Sequence, residues 1–148
     1  MKINGIAHVA LTVNRMEISV PFYEKLLTFL EFKCVHRSPR MTYFIGGRSA
    51  IAIQPAGESH RHESFVQTRV GLHHLCFRAY SRADVDRFYE HLLSMAAKIV
   101  HPPEDGAWAP GYYSVLFEDP DGIRLEMNSV PGTGLLAEGV RINPQGYE

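Results

Sequence analysis

The chain is poor in cysteine, in net charge and in long apolar runs. Its two cysteines, Cys34 and Cys76, are too few for a disulfide framework and fit a reducing compartment. A formal net charge of -1 provides no basic field to recruit nucleic acid or an anionic membrane. No apolar stretch approaches the roughly 20 residues of a membrane span. The opening segment, MKINGIAHVAL, is too short and too polar for a signal peptide. These absences point to a cytoplasmic protein that partners neither nucleic acid nor membrane. What is present is a globular mixture, 45% hydrophobic and 21% charged, in 148 residues, enough for one compact domain. Histidine is plentiful: eight residues, a count that directs attention to metal sites.

The chain repeats itself at a shift of 66 residues. GIAHVAL (Gly5 to Leu11) aligns with GLHHLCF (Gly71 to Phe77), so His8 meets His74. At the same shift FYEKLL (Phe22 to Leu27) lands on FYEHLL (Phe88 to Leu93). Each copy opens with a strand, shown by the alternation of Ala7, Val9, Leu11 and Val13 in the first. An amphipathic helix follows. In copy one its stripe is Phe22, Leu26 and Leu30 beside Leu27, and Pro21 in the first turn sets a start near Ser19. In copy two, SRAD (Ser81 to Asp84) resembles a capping box, and Val85, Phe88, Leu92 and Ala96 form the stripe. Strand-like runs TYFIGG and AIAIQP, then YYSVLFE and IRLEMNS, close the copies. Turns are expected at Gly46–Gly47 and at Pro120–Gly122. The fold class is α+β, two βαβββ units. Module one covers about residues 1–56, a polar linker 57–68, module two 69–131 and a tail 132–148, all within one domain. His60 and His62 in the linker are read as solvated.

Strand parity assigns faces. Ala7, Val9 and Leu11 pack under a helix, which turns His8 to the opposite side. By the same count His74, Cys76 and Arg78 share that second face, whereas His73 falls on the packing side or the edge. In the last strand Ile123, Leu125 and Met127 suit the helix side, leaving Arg124, Glu126 and Asn128 on the open one. A carboxylate on an inner sheet face is costly unless paired or bound to a cation. Taken singly, each residue fits a half-buried hydrogen-bonded role, with Glu126 paired to Arg124 or Arg78. Taken together, His8, His74 and Glu126 form a two-histidine, one-carboxylate set that suits Fe(II), Mn(II) or another divalent ion.

These segments resemble the vicinal oxygen chelate superfamily, which includes glyoxalase I, extradiol dioxygenases, fosfomycin-resistance thiol transferases and bleomycin-binding proteins. The resemblance is carried by HVALTV, FYEKLL, HHLCF and FEDPDGIRLE, across about residues 1–130. It implies an eight-stranded, cup-shaped mixed sheet with the helices on its outer face. It also implies His8, His74 and Glu126 as ligands of a divalent metal, Fe(II) or Mn(II) before Ni, Co or Zn. At the fourth ligand position of glyoxalase I, this chain has SAIAIQP without a carboxylate; Gln54 is the candidate there. At the tyrosine position of ring-cleaving enzymes stands Leu116, with Tyr113 as a catalytic candidate in its place and Tyr112 beside it. The basic residues that follow the glutamate in the fosfomycin branch are missing from MNSVPGTG, which argues against that activity.

Substrate contacts are expected from Trp108, in the loop EDGAWAPGYYS, and from Cys76, Arg124 and Asn128, with Tyr43 also on the inner face. Leu135 and Leu136 make the tail a candidate cover. The expected activity is metal-dependent dioxygenase or lyase/isomerase chemistry on a small molecule bearing vicinal oxygens. A metal-free small-molecule binding protein of the bleomycin-resistance type is the alternative. Modules of this superfamily combine within a chain or between two, so a homodimer is expected.

Overall fold

A computed structural model describes residues 1–142. Its backbone divides into two compact units: Met1–Phe65 with Pro120–Gly122, and Val66–Asp119 with the chain from Ile123 onward. Both carry the same βαβββ order, so the paired module read from the repeat is what the chain forms.

In the first unit β1 (Val9–Val13) leads to α1 (Met16–Phe29) and then to β2 (Lys33–Ser38), β3 (Met41–Gly46) and β4 (Ser49–Pro55). The sheet order is β1-β4-β3-β2. β1 pairs with β4 in parallel, Val9 opposite Ile51, and the other pairs are antiparallel. Leu11 and Val13 of β1, Phe44 of β3 and Ile51 and Ile53 of β4 are buried, as parity requires. α1 covers them with Val20, Tyr23, Leu26 and Leu27. The stripe is therefore rotated from the expected one: fully buried Tyr23 takes the central place, and Phe22 and Leu30 sit at its margin.

α1 also starts earlier than expected. Its first residue is Met16, and Ser19 already donates from its backbone to the Arg15 carbonyl at 2.9 Å. Pro21 lies inside the helix and leaves the Glu17 carbonyl without its usual donor. Exposure of both residues lets water substitute. No side chain caps the helix at Arg15 itself. Instead the Asp121 carboxylate accepts from the Asn14 backbone N–H at 2.9 Å and from the Ser19 hydroxyl at 3.3 Å. A carboxylate there also complements the positive end of the helix.

In the second unit β5 (Leu75–Arg78) leads to α2 (Arg82–Ser94), β6 (Lys98–Asp105), β7 (Tyr113–Glu118) and β8 (Arg124–Ser129), in the order β5-β8-β7-β6. Val85, Phe88 and Leu92 of α2 pack over Val115, Phe117, Leu125 and Met127, with Phe88 edge-on to Phe117 at 5.5 Å between centroids. A pair of that kind adds about 1 kcal/mol to the area it buries. The Ser81 hydroxyl caps α2 by accepting from the Asp84 N–H at 3.2 Å, as the capping-box reading requires. Ala96 does not join the stripe; it is exposed at φ 53°, just past the helix.

Both helices end alike. Glu31 and Phe32 donate to the Thr28 and Leu27 carbonyls; Ala96 and Ala97 donate to those of Leu93 and Leu92. This is a Schellman closure, with Glu31 and Ala96 in the left-handed conformation that glycine normally fills. The β3–β4 turn is centred on Gly47 and Arg48, both at positive φ, rather than on Gly46–Gly47. Gly46 ends β3, at a position where a Cβ would lie 2.7 Å from the Phe32 ring.

Leu135 and Leu136 lie in a short 3-10 turn, with Leu136 largely exposed. The end of the tail lies outside the described residues. No helix among the described residues is long and apolar enough to cross a membrane.

Candidate metal and substrate site

In the second unit β8 carries Glu126 on the face opposite α2, as parity predicts, and the carboxylate is buried nonetheless. Its Oε2 lies 3.2 Å from His74 Nε2. Its Oε1 accepts a hydrogen bond from the Tyr112 hydroxyl. Asn128, two residues along the same face, donates from Nδ2 to the Tyr112 oxygen at 3.1 Å. The Asn128 Oδ1 is buried and unpartnered among the described residues. Burial pulls the Glu126 carboxyl upward, but hydrogen bonds from His74 and Tyr112 outweigh it and hold the group below its ordinary value. Burial, above all, pushes the Tyr112 phenol well above its ordinary range, so Tyr112 stays neutral and keeps its proton.

His73 joins this group, against expectation. Its Nδ1 lies 2.8 Å from His74 Nδ1 and 3.2 Å from Gln67 Nε2. Alternation keeps neighbours apart only within a strand, and β5 begins at Leu75, after both rings. A buried carboxylate 3.2 Å from an imidazole nitrogen needs a positive charge between them, either a proton on His74 or a metal ion. Two neighbouring ligands at right angles on a divalent ion, each about 2.1 Å from it, would stand roughly 3 Å apart. The donor set and its spacing fit such an ion.

In the first unit His8 stands exposed just before β1, its ring 6.4 Å from that of Tyr43 and edge-on to it. Gln54 pairs with Thr12 and directs Nε2 toward the Met41 sulfur at 3.7 Å. Level with Ala10, the repeat equivalent of Cys76, stands Ala52 rather than an acid. Among the described residues no three His, Cys, Asp or Glu side chains are grouped as a metal centre. An open cleft of about 930 Å³ in this unit, bordered by Arg15, Arg40, Arg61 and Asp121, contains none of the proposed ligands.

The remaining candidates divide. Cys76 is level with Glu126 across the β5–β8 register, and Leu116 is level with it across β7–β8. Arg124 turns to a different acid, Glu118, at 3.1 Å, and Lys98 joins the same carboxylate at 2.6 Å. Tyr113 donates to Asp86 of α2 at 2.7 Å and carries the Arg82 guanidinium 3.8 Å above its ring, which directs it away from Glu126. Tyr112, one residue earlier, shares the parity of Ser114 and Leu116 and reaches the carboxylate from the loop before β7. That loop is closed by a bond from the Gly106 N–H to the Tyr112 carbonyl at 2.9 Å. A Cβ on Gly106 would stand 2.8 Å from the Tyr112 ring, so only glycine permits this seat. Trp108, half-buried, belongs to the same loop.

Paired βαβββ modules, with a histidine before the first strand of each and a buried glutamate on the last, define a two-module glyoxalase-type fold. The family model of the Glyoxalase/Bleomycin resistance protein/Dioxygenase superfamily matches residues 5–127, and the chain belongs to that family. Metallothiol transferase FosB of Shouchella clausii is 31% identical over 136 residues, 92% of this chain and 84% of that protein. A solved Bacillus halodurans structure is 28% identical at a TM-score of 0.74, over 86% of this chain and 96% of that one. Lactoylglutathione lyase of Agrobacterium tumefaciens shares the fold at a TM-score of 0.66 and 21% identity, over 87% of this chain and 96% of that one.

Proposed function

We propose that the protein is a metal-dependent enzyme acting on a small molecule with two adjacent oxygens. The observation that carries this reading is the meeting of His74 Nε2 and the buried Glu126 Oε2 at 3.2 Å. His74 and Glu126 would hold the ion, with repeat-equivalent His8 as third ligand and Gln54 as the candidate fourth. A bound divalent ion supplies Lewis-acid stabilisation of negative charge on chelated substrate oxygens. The chain's own residues do the rest. His73, itself beside Gln67, meets His74 at Nδ1 and orients its ring so that Nε2 faces Glu126. Tyr112 holds Glu126 in place, and Leu116 stands level with it across the β7–β8 register.

Ring-cleaving dioxygenase or lyase/isomerase chemistry is the leading reaction class. Thiol transfer is a second reading, favoured by the 31% identity to FosB across most of the chain despite the missing basic residues after Glu126. The enzyme is proposed to work in the cytoplasm as a single-domain chain and a homodimer.

The test is metal content. The untagged protein is purified anaerobically and assayed for Fe, Mn, Ni, Co and Zn beside His74→Ala and Glu126→Ala. Near-stoichiometric metal lost in both variants is the expected result. Iron or manganese then directs assays to catechols with oxygen, and nickel or zinc to isomerisation or thiol transfer. A wild-type protein without metal, even after reconstitution, overturns the proposal in favour of a metal-free sequestering protein.

A further inference from the structure

We infer that Tyr112 makes Glu126 a one-oxygen ligand, so that an ion held at Oε2 keeps one more position open to water or substrate than a chelating carboxylate would allow. The inference rests on the proposed metal site and concerns the coordination set this chain imposes there.

A carboxylate can bind a divalent ion through one oxygen or through both, and the choice is set by what else holds the second oxygen. Here the second oxygen is held by a directed chain. Asn128 Nδ2 can only donate, and it donates into the Tyr112 oxygen at 3.1 Å. The single phenolic proton is thereby sent to the other neighbour, Glu126 Oε1. Oε2 is left to face His74 Nε2. Swinging Glu126 so that both oxygens met one ion would break the Tyr112 bond and leave a buried phenol proton without an acceptor.

The Tyr112 ring has little freedom to follow such a swing. Its backbone is tied to Gly106 and Ala109, through the Gly106 N–H and the Tyr112 N–H respectively. Its ring lies against the Gly106 α-carbon, where even a methyl group would collide. Tyr112 is thus a positioning residue, acting through Glu126 and not on substrate.

The experiment loads the full chain with Mn(II) and measures affinity and the relaxation of bulk-water protons, which reports the number of water molecules on the ion. Wild type, Tyr112→Phe and Asn128→Ala are compared. Removing the phenol proton frees Oε1, so Tyr112→Phe is expected to lose about one bound water while still binding Mn(II). Asn128→Ala, which only removes the bias on the proton, should shift relaxation the same way by less, and it decides the matter where Tyr112→Phe does not fold. Unchanged water relaxation in a variant that binds Mn(II) overturns the inference and leaves the metal proposal standing. Failure of the wild type to bind Mn(II) or any other divalent ion overturns both.

Discussion

Cys76 stands directly opposite Glu126 in the parallel register of β5 and β8. Burial, and then the neighbouring carboxylate, push its thiol far above the ordinary range, while Cys34 is exposed. Reactivity follows the thiolate, so the two cysteines should differ sharply. At neutral pH one thiol per native chain is expected to react quickly with a disulfide reagent, and two after denaturation. Loss of the fast phase in Cys34→Ser, with Cys76 still protected, identifies the pair; rapid labelling of Cys76 in the native chain would contradict the buried register.

Glu126 predicts an acid limb. Its folded value is lowered below that of an unfolded glutamate, so its contribution is fully present above about pH 5 and is lost as pH falls through the lowered value. Glu126→Gln removes that contribution and should flatten the decline. Urea midpoints of the metal-free proteins between neutral pH and about pH 3 measure it. Parallel declines in wild type and variant would place the acid sensitivity elsewhere.

Each helix carries a non-glycine residue where its closure needs the left-handed conformation: Glu31 at φ 63° and Ala96 at φ 53°. Both are exposed, so relief should exceed any lost packing. Glu31→Gly and Ala96→Gly are each expected to stabilise by about 1 kcal/mol, additively, since they close different helices. Thermal unfolding of the single and double variants tests this.

Pro21 interrupts α1 from within. Pro21→Ala returns a donor to the Glu17 carbonyl and should raise stability, by less than the roughly 3 kcal/mol of an interior proline because the unfolded chain gains freedom. A lowered melting temperature would mean that the ring itself packs usefully.

The repeat was legible because the residues that build it are those the core requires. Phe88 and Leu92 are buried, as are Leu26 and Leu27, and the shift of 66 brings the two helices into line. β2 and β6 carry no comparable signal. β2 lies at a sheet edge and is exposed along nearly its whole length, and β6 contains Pro102, Pro103 and register shifts on either side of His101. Edge strands need no apolar alternation, so none is written into them. At the site, the glutamate and one histidine were visible through parity. Tyr112 stood out only as a neighbour of Tyr113, because it acts from a loop, although its even spacing from Ser114 and Leu116 pointed to the right face. The contact of His73 with His74 was not legible, because both precede β5, where parity does not hold.

The bond from Asn14 to Asp121 spans 107 residues of sequence. On the ribosome the first sheet has all four of its strands once Pro55 has emerged, yet the start of its helix must wait for a turn made more than sixty residues later. Synthesis at several residues per second makes that interval seconds long, ample for the sheet to form and fray. Arrival of Asp121 then acts as a late signature on work already done, and a nascent chain released short of it would leave the first module assembled but unsealed.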